Sequence, residues 1–310
     1  CLVDEAVLLS ERSGIPKTII GATIVSLGTT APEAAVSVFA AIQGQPGLAL
    51  GNAVGSIICD TGLILGVACL IAPLKLDRQI VNRQGWIQLG AAAALVAFCF
   101  PWNSPGSVFT QGGNLAQWAG FVFLGALGIY IWQSIRWAGK GSGLADAVED
   151  HASSEATLVI VLKLIGAVAV VVISARILIP AVHEIATRMH VPESIIAATL
   201  VAFGTSLPEL VTAVTAARKG HGELAVGNIV GADILNVLFV AGAAAAVTPS
   251  GLAAGGHFFL VLFPMMLLIL LVFRVGILLS GDHMKRPFGY VLLTAYAVYN
   301  VVIYVLPASS

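Results

Sequence analysis

GATIVSLGTTAPE (21–33), followed by ALGNAVGSIICDTGLILG (49–66), is one half of a repeated pattern. The other half is AATLVAFGTSLPE (197–209), followed by AVGNIVGADILNVLFVAG (225–242). A shift of 176 residues aligns the two without a gap, and 20 of the 48 pairs from 21/197 to 68/244 are identical. Each copy places a glutamate directly after a proline, in the middle of an apolar stretch. Internal repeats of apolar segments interrupted by Gly and Pro are the sequence mark of a secondary transporter's binding site.

The rest of the chain fits a polytopic membrane protein. Hydrophobic residues make up 58% of it and charged ones 10%, against about 25% charged in soluble domains. Mean hydropathy is +0.96. A net charge of −1 offers nothing to nucleic acid. The partner implied is the lipid bilayer, and no obligatory protein partner is inferred. Cys1, Cys59, Cys69 and Cys99 show no C-x-x-C spacing, and no disulfide is expected. The opening CLVDEAVLL is too short to span and lacks the basic start of a signal peptide. It reads as the tail of a truncated first helix.

A span needs about 20 apolar residues. Nine full ones are expected, at about 16–42, 46–71, 85–102, 115–137, 157–182, 192–217, 223–248, 256–279 and 287–306. With the partial start this makes ten helices, an all-α membrane fold. The polar stretch KGSGLADAVEDHASSEA (140–156) reads as a connector between an N-terminal half (1–139, motif 21–68) and a C-terminal half (157–310, motif 197–244). Lysines and arginines fall in alternate loops: Arg12 and Lys17; Lys75, Arg78 and Arg83; Arg136 and Lys140; Arg218 and Lys219; Lys285 and Arg286. The positive-inside rule makes that face cytoplasmic, with the connector inside and the C-terminus outside, in the inner (plasma) membrane of a prokaryote. Five spans separate the copies, so they cross in opposite directions. Inverted repeats suit alternating access.

Four of the sixteen acids sit deep in apolar spans: Glu33, Asp60, Glu209 and Asp233. A carboxylate near the bilayer centre costs at least about 2.5–3.5 kcal/mol, and no basic residue of the repeats is placed to neutralise these. Bound cations or protons are the natural partners. Pro32 and Pro208 each break a helix just before the acid, and the freed carbonyls must be buried or face a watery cavity. Thr29, Thr30, Thr205 and Ser206 add hydroxyls. Carboxylates, carbonyls and hydroxyls are ligands for hard cations such as Ca²⁺; no Cys/His cluster suits zinc or copper. G-N-x-V-G in each copy aligns Asn52 with Asn228. Its glycines allow close helix approach, whether for packing or for a site. Ser56 and Asp60 share a helical face, as do Asp233 and Asn236.

These residues resemble the sodium/calcium exchanger family of the cation/Ca²⁺ antiporter superfamily, prokaryotic type. GTxxPE followed by GNxxG, twice and inverted, carries the resemblance. It implies a ten-helix antiporter fold in which the second, third, seventh and eighth helices surround a row of cation sites. Glu33 and Glu209 would be the central ligands, shared by Ca²⁺ and Na⁺. Asp60 and Asn236 would take the polar positions of the third and eighth helices. Thr29, Thr30, Ser56, Thr205 and Ser206 would add oxygens, and the first and sixth helices would slide to switch access. The chain departs from the common pattern in two places. Asp60 and Asn236 are swapped relative to the frequent Asn-then-Asp arrangement, and the second copy reads Gly231-Ala232-Asp233 where G-S is usual. Asp233 adds a carboxylate, a further candidate ligand and a proton site when desolvated.

The function expected is therefore antiport of Ca²⁺ against Na⁺ without cofactor or covalent chemistry. A Ca²⁺/H⁺ exchanger of the same fold is the alternative. A cation channel belongs to another class, and broken inverted repeats disfavour it. A membrane hydrolase lacks a Ser/His/Asp set or a metal-ligand His pair.

Overall fold

The computed structural model describes residues 15–140 and 192–305, with Val7, Ser10, Glu184 and Arg188 as isolated positions. The expected first helix, the connector beyond Lys140 and the span 157–182 lie outside the described residues.

Eight long helices are present among the described residues. The first, α1, is a broken pair, Lys17–Thr29 and Ala31–Ile42, bent by 44°. Pro46–Ile71 (α2), Arg78–Cys99 (α3) and Gln117–Lys140 (α4) follow. The second copy opens on another broken pair, α5, Glu193–Thr205 and Leu207–Arg218, bent by 47°. Gly222–Ala246 (α6), Phe258–Leu279 (α7) and Arg286–Val305 (α8) complete the set.

Five of these are long and apolar enough to cross a membrane, or seven if each bent pair is one span. The exception is α3, expected at 85–102. It starts seven residues earlier because Asp77 caps it, its carboxylate accepting from the Ile80 N–H at 3.2 Å. Arg78, Gln79, Asn82, Arg83 and Gln84 then make its first half polar, which a linear hydropathy window reads as loop.

Burial sorts the helices into centre and periphery. The most apolar windows of α2 and α6 are 78% and 89% buried, those of α4 and α8 only 28% and 22%. The outer helices carry exposed Ile129, Ile135, Val301 and Tyr290, an apolar mantle of the kind that faces lipid.

The ends of the bundle are tied separately. At one end the Lys17 ammonium lies 3.3 Å from His221 Nδ1, and β1 (Leu74–Lys75) pairs antiparallel with β4 (His283–Met284). At the other, Ser194 Oγ lies 2.6 Å from His257 Nε2, and β2 (Gly113–Leu115) pairs with β3 (Leu252–Ala254). Thus α1 starts where α5 finishes, and the two run in opposite directions. The short strands are the departure from an all-α expectation, and they lock loops of the two halves together.

The central contacts repeat under the 176-residue shift. Gly55 presses on Ala198 and Gly231 on Ala22; a Cβ would sit 2.4 and 2.5 Å from the carbonyl oxygens of those residues. Gly51 meets Ser194 and Gly227 meets Thr18 in the same exchanged way. Each copy's GNxVG helix therefore lies backbone to backbone against the broken helix of the other copy, as small residues permit in membranes.

Candidate cation site

Both breaks fall at the same place. Thr30 (φ −81°, ψ −1°) and Ser206 (φ −81°, ψ 9°) sit at the kinks with ψ near zero, and each restarted helix carries Pro in its first turn, followed by Glu33 or Glu209. A helix N-terminus is the end whose unpaired N–H groups favour negative charge. Glu33, Glu209, Asp60, Ser56 and Asn236 are all fully buried.

The copies cross-bond. Ser206 Oγ donates to Glu33 Oε1 at 3.1 Å, and Thr30 Oγ1 donates to Glu209 Oε1 at 3.4 Å. Thr205 donates to Asn52 Oδ1 and Thr29 to Asn228 Oδ1, both at 3.3 Å. Each glutamate is thus held by the hydroxyl that precedes the other glutamate, and the two sit in one centre.

What is left over has a consistent chemistry. Glu33 Oε2, Glu209 Oε2, both oxygens of Asp60, Ser56 Oγ, Asp233 Oδ1 and both amide atoms of Asn236 are buried without a hydrogen-bond partner, acceptors outnumbering donors. Asp60 also lies in the field of Glu209, Asp233 and Glu33. Buried polar atoms are normally satisfied, and an unpaired buried charge is among the costliest arrangements available. Surplus acceptors with few donors call for cations, and the atom types are those of a hard-cation site. Among the described residues, no three His, Cys, Asp or Glu side chains form a ready metal cluster. Any coordination shell would therefore mix carboxylates with neutral oxygens.

Asp233 is different. Its Oδ2 accepts from Thr61 Oγ1 and Gln88 Nε2, both at 2.5 Å. Thr61 and Gln88, which sequence reasoning missed, tie it to α2 and α3. Gln84 and Gln88, four apart and both buried in α3, are the available signal: two amides on one face of a membrane helix. Ser37 was also missed. It receives the Asn52 amide at 3.0 Å and donates to the Ala49 carbonyl at 3.0 Å.

Two broken, oppositely directed helices with acids at their breaks define a membrane transporter of cations by class. The comparisons narrow that class. The profile of the family described as "Sodium/calcium exchanger protein" matches residues 1–136 and 159–305, and the chain belongs to that family. It is 31% identical to the sodium/calcium exchanger MaX1 of Methanosarcina acetivorans, over 97% of this chain and 93% of that one. It is 33% identical to the inner membrane protein YrbG of Escherichia coli, over 90% and 88%. In fold it is similar to a solved structure of the sodium-calcium exchanger NCX_Mj soaked with Na⁺, with a TM-score of 0.71 at 24% identity, covering 99% of this chain and 93% of that one.

Proposed function

We propose that this chain exchanges Ca²⁺ for Na⁺ across the membrane by alternating access, with Glu33 and Glu209 as the shared central ligands. Asp60, Asn236, Ser56, Thr29, Thr30, Thr205 and Ser206 complete the site, and Asp233 lies at its edge. One observation carries the reading. Two fully buried glutamates, at equivalent places in oppositely directed copies, each keep one oxygen free while the other copy's hydroxyl holds the second. Ca²⁺ and Na⁺ compete for the same oxygens, so one set occupies the centre at a time. The bare centre resists crossing because its carboxylates would be desolvated without a counter-charge. That resistance couples the two fluxes without any covalent step. The membership of the family and the names of MaX1 and NCX_Mj support the choice of ions.

The loop charges support an orientation with the Lys17, Lys75, Arg218 and Lys285 end in the cytoplasm, together with the connector 140–156, and the C-terminus outside. The same reading divides the chain into halves 1–139 and 157–310.

The test is Ca²⁺ uptake into proteoliposomes under an imposed Na⁺ gradient, then under a pH gradient. Uptake is expected with Na⁺, and Glu33→Gln and Glu209→Gln should each abolish it while the purified protein keeps its melting temperature. Uptake driven by the pH gradient alone would establish the proton-coupled alternative. Flux that persists with no counter-ion would establish a channel. Retained flux in both variants would remove the glutamates from the site.

A further inference from the structure

The α-helical ladder is shifted into a π turn at Gly21–Val25 in α1 and at Ala197–Val201 in α5, the same five positions in each copy. Single π turns of this kind concentrate at functional sites. In both, the carbonyl of the second residue accepts a hydrogen bond from a tyrosine on a peripheral helix. Tyr130 of α4 donates to the Ala22 carbonyl at 3.0 Å, and Tyr299 of α8 donates to the Ala198 carbonyl at 2.9 Å. Both rings are buried, to 5% and 0% exposure. The same two carbonyls are the ones that Gly231 and Gly55 press on from the central helices. Each π turn is therefore clamped between a glycine of the other copy's core helix and a tyrosine of an outer helix.

The tyrosines are not equivalent in sequence: the repeat shift would bring Tyr299 to position 123, which is Phe123. The symmetry of their bonds is a property of the fold rather than of the duplicated motif. Their surroundings also differ. The Tyr130 hydroxyl faces two acceptors, the Ala22 carbonyl at 3.0 Å and Gln84 Oε1 at 2.9 Å, which share its one proton. On the other side, Tyr304 adds a 2.8 Å bond to Thr199 within the π turn itself.

The clamped segments flank the carboxylates on opposite sides. Lys17–Thr29 lies towards the Lys17–His221 end, and Glu193–Thr205 towards the Ser194–His257 end. Each is the half of a broken helix that ends at the kink, bent by 44° or 47° from the half that carries the glutamate. We infer that Tyr130 and Tyr299 are paired latches, each holding shut the half-helix on one side of the cation centre, so that their relative strength sets which side opens. They are positioning residues and touch no ion. The inference rests on the alternating-access reading above.

The experiment is hydrogen–deuterium exchange on the full chain in lipid nanodiscs, with Tyr130→Phe and Tyr299→Phe. Each variant removes one hydroxyl and keeps the buried ring. Tyr130→Phe is expected to raise exchange in 17–29 by roughly fivefold, the loss of about one hydrogen bond, and to leave 193–205 unchanged. Tyr299→Phe should do the reverse, by a smaller factor because Tyr304 remains. In proteoliposomes, the Ca²⁺ concentrations for half-maximal flux from the two faces should move in opposite senses in the two variants. Gln84→Leu gives a second route: it removes the rival acceptor for the Tyr130 proton, so exchange in 17–29 should fall with Tyr130 intact. Equal responses of both segments to either variant, or no response in any variant, would overturn the latch. The exchange measurement needs no transported ion, so failure of Ca²⁺/Na⁺ antiport and failure of the latch are separate outcomes.

Discussion

Asn52 and Asn228 occupy equivalent places, but only one has its amide group satisfied. Asn52 Nδ2 donates to Ser37 Oγ at 3.0 Å and to the Glu33 carbonyl at 3.3 Å. At the position equivalent to Ser37 stands Ala213, and Asn228 Nδ2 is buried without a partner. Leaving a buried donor unpaired costs about 1–3 kcal/mol. Ala213→Ser would supply an acceptor. Its own proton would go to the Ala225 carbonyl, as that of Ser37 goes to Ala49. Against this stand a helix-propensity loss of about 0.5 kcal/mol and the strain of placing an oxygen where Ala213 is fully buried. The expected net gain is about 1 kcal/mol, which in a chain of this size raises the melting temperature by about 2 °C.

The measurement is thermal unfolding of detergent-purified protein, with two companions. Ser37→Ala removes two 3.0 Å bonds and should cost about 2 kcal/mol. Ala213→Cys adds similar bulk with only a weak acceptor, so it reports the packing cost alone. The expected order of stability is Ala213→Ser, wild type, Ala213→Cys, Ser37→Ala. If the serine and cysteine variants fall together below wild type, the orphan amide is not what limits stability there, and the symmetry argument fails.

Two further outcomes follow from the same contacts. Gly55→Ala and Gly231→Ala would each place a methyl group within about 2.5 Å of backbone atoms; each should cost more than about 4 kcal/mol and prevent recovery of monodisperse protein, while Gly90→Ala, which meets open space, should be silent. Gln88→Leu removes one of the two donors on Asp233 Oδ2; it should cost about 1–2 kcal/mol in wild type and less than half of that alongside Asp233→Asn, whereas strict additivity in the double-mutant cycle would show that Gln88 does not act through Asp233.

The duplicated motif made the fold legible because the 176-residue shift needs no gap, and the loop charges gave the copies their opposite directions. The acids were legible because nothing else in an apolar span explains them. The crossing of the hydrogen bonds was not: a linear reading sets Thr30 beside Glu33, whereas the fold delivers Thr30 to Glu209 and Ser206 to Glu33. The π turns have no residue signature, since Gly21 opens one and Ala197 the other. Gln88 and Thr61 were hidden because their role is to hold a third residue, Asp233, across two helices. Helix α3 was misplaced because its polar first half is capped and packed rather than apolar.

The departures from symmetry are confined in a way that assigns unequal work to the four acids. The motif's bonds to Glu33 and Glu209, and those between Thr29 or Thr205 and the asparagines, recur in both copies. Apart from Ser37 against Ala213 on the broken helices, the polar mismatches around the acids fall on the two central helices: Ser56 against Ala232, Ile57 against Asp233, Asp60 against Asn236, and Thr61 against Val237. Each copy still contributes two carboxylates, Glu33 with Asp60 and Glu209 with Asp233, so the negative charge is balanced between the halves. The hydrogen bonds are not balanced. Asp233 spends one oxygen on two protein donors, whereas Asp60 has no donor on either oxygen. A carboxylate already solvated by neutral donors gains less from a cation than one with none. The demand for cations therefore rests on Glu33, Glu209 and Asp60. On the proposed assignment, having Asp60 on α2 and Asn236 on α6 places the third carboxylate ligand on the α2 side of the glutamate pair, while Thr61 and Gln88 hold Asp233 by hydrogen bonds.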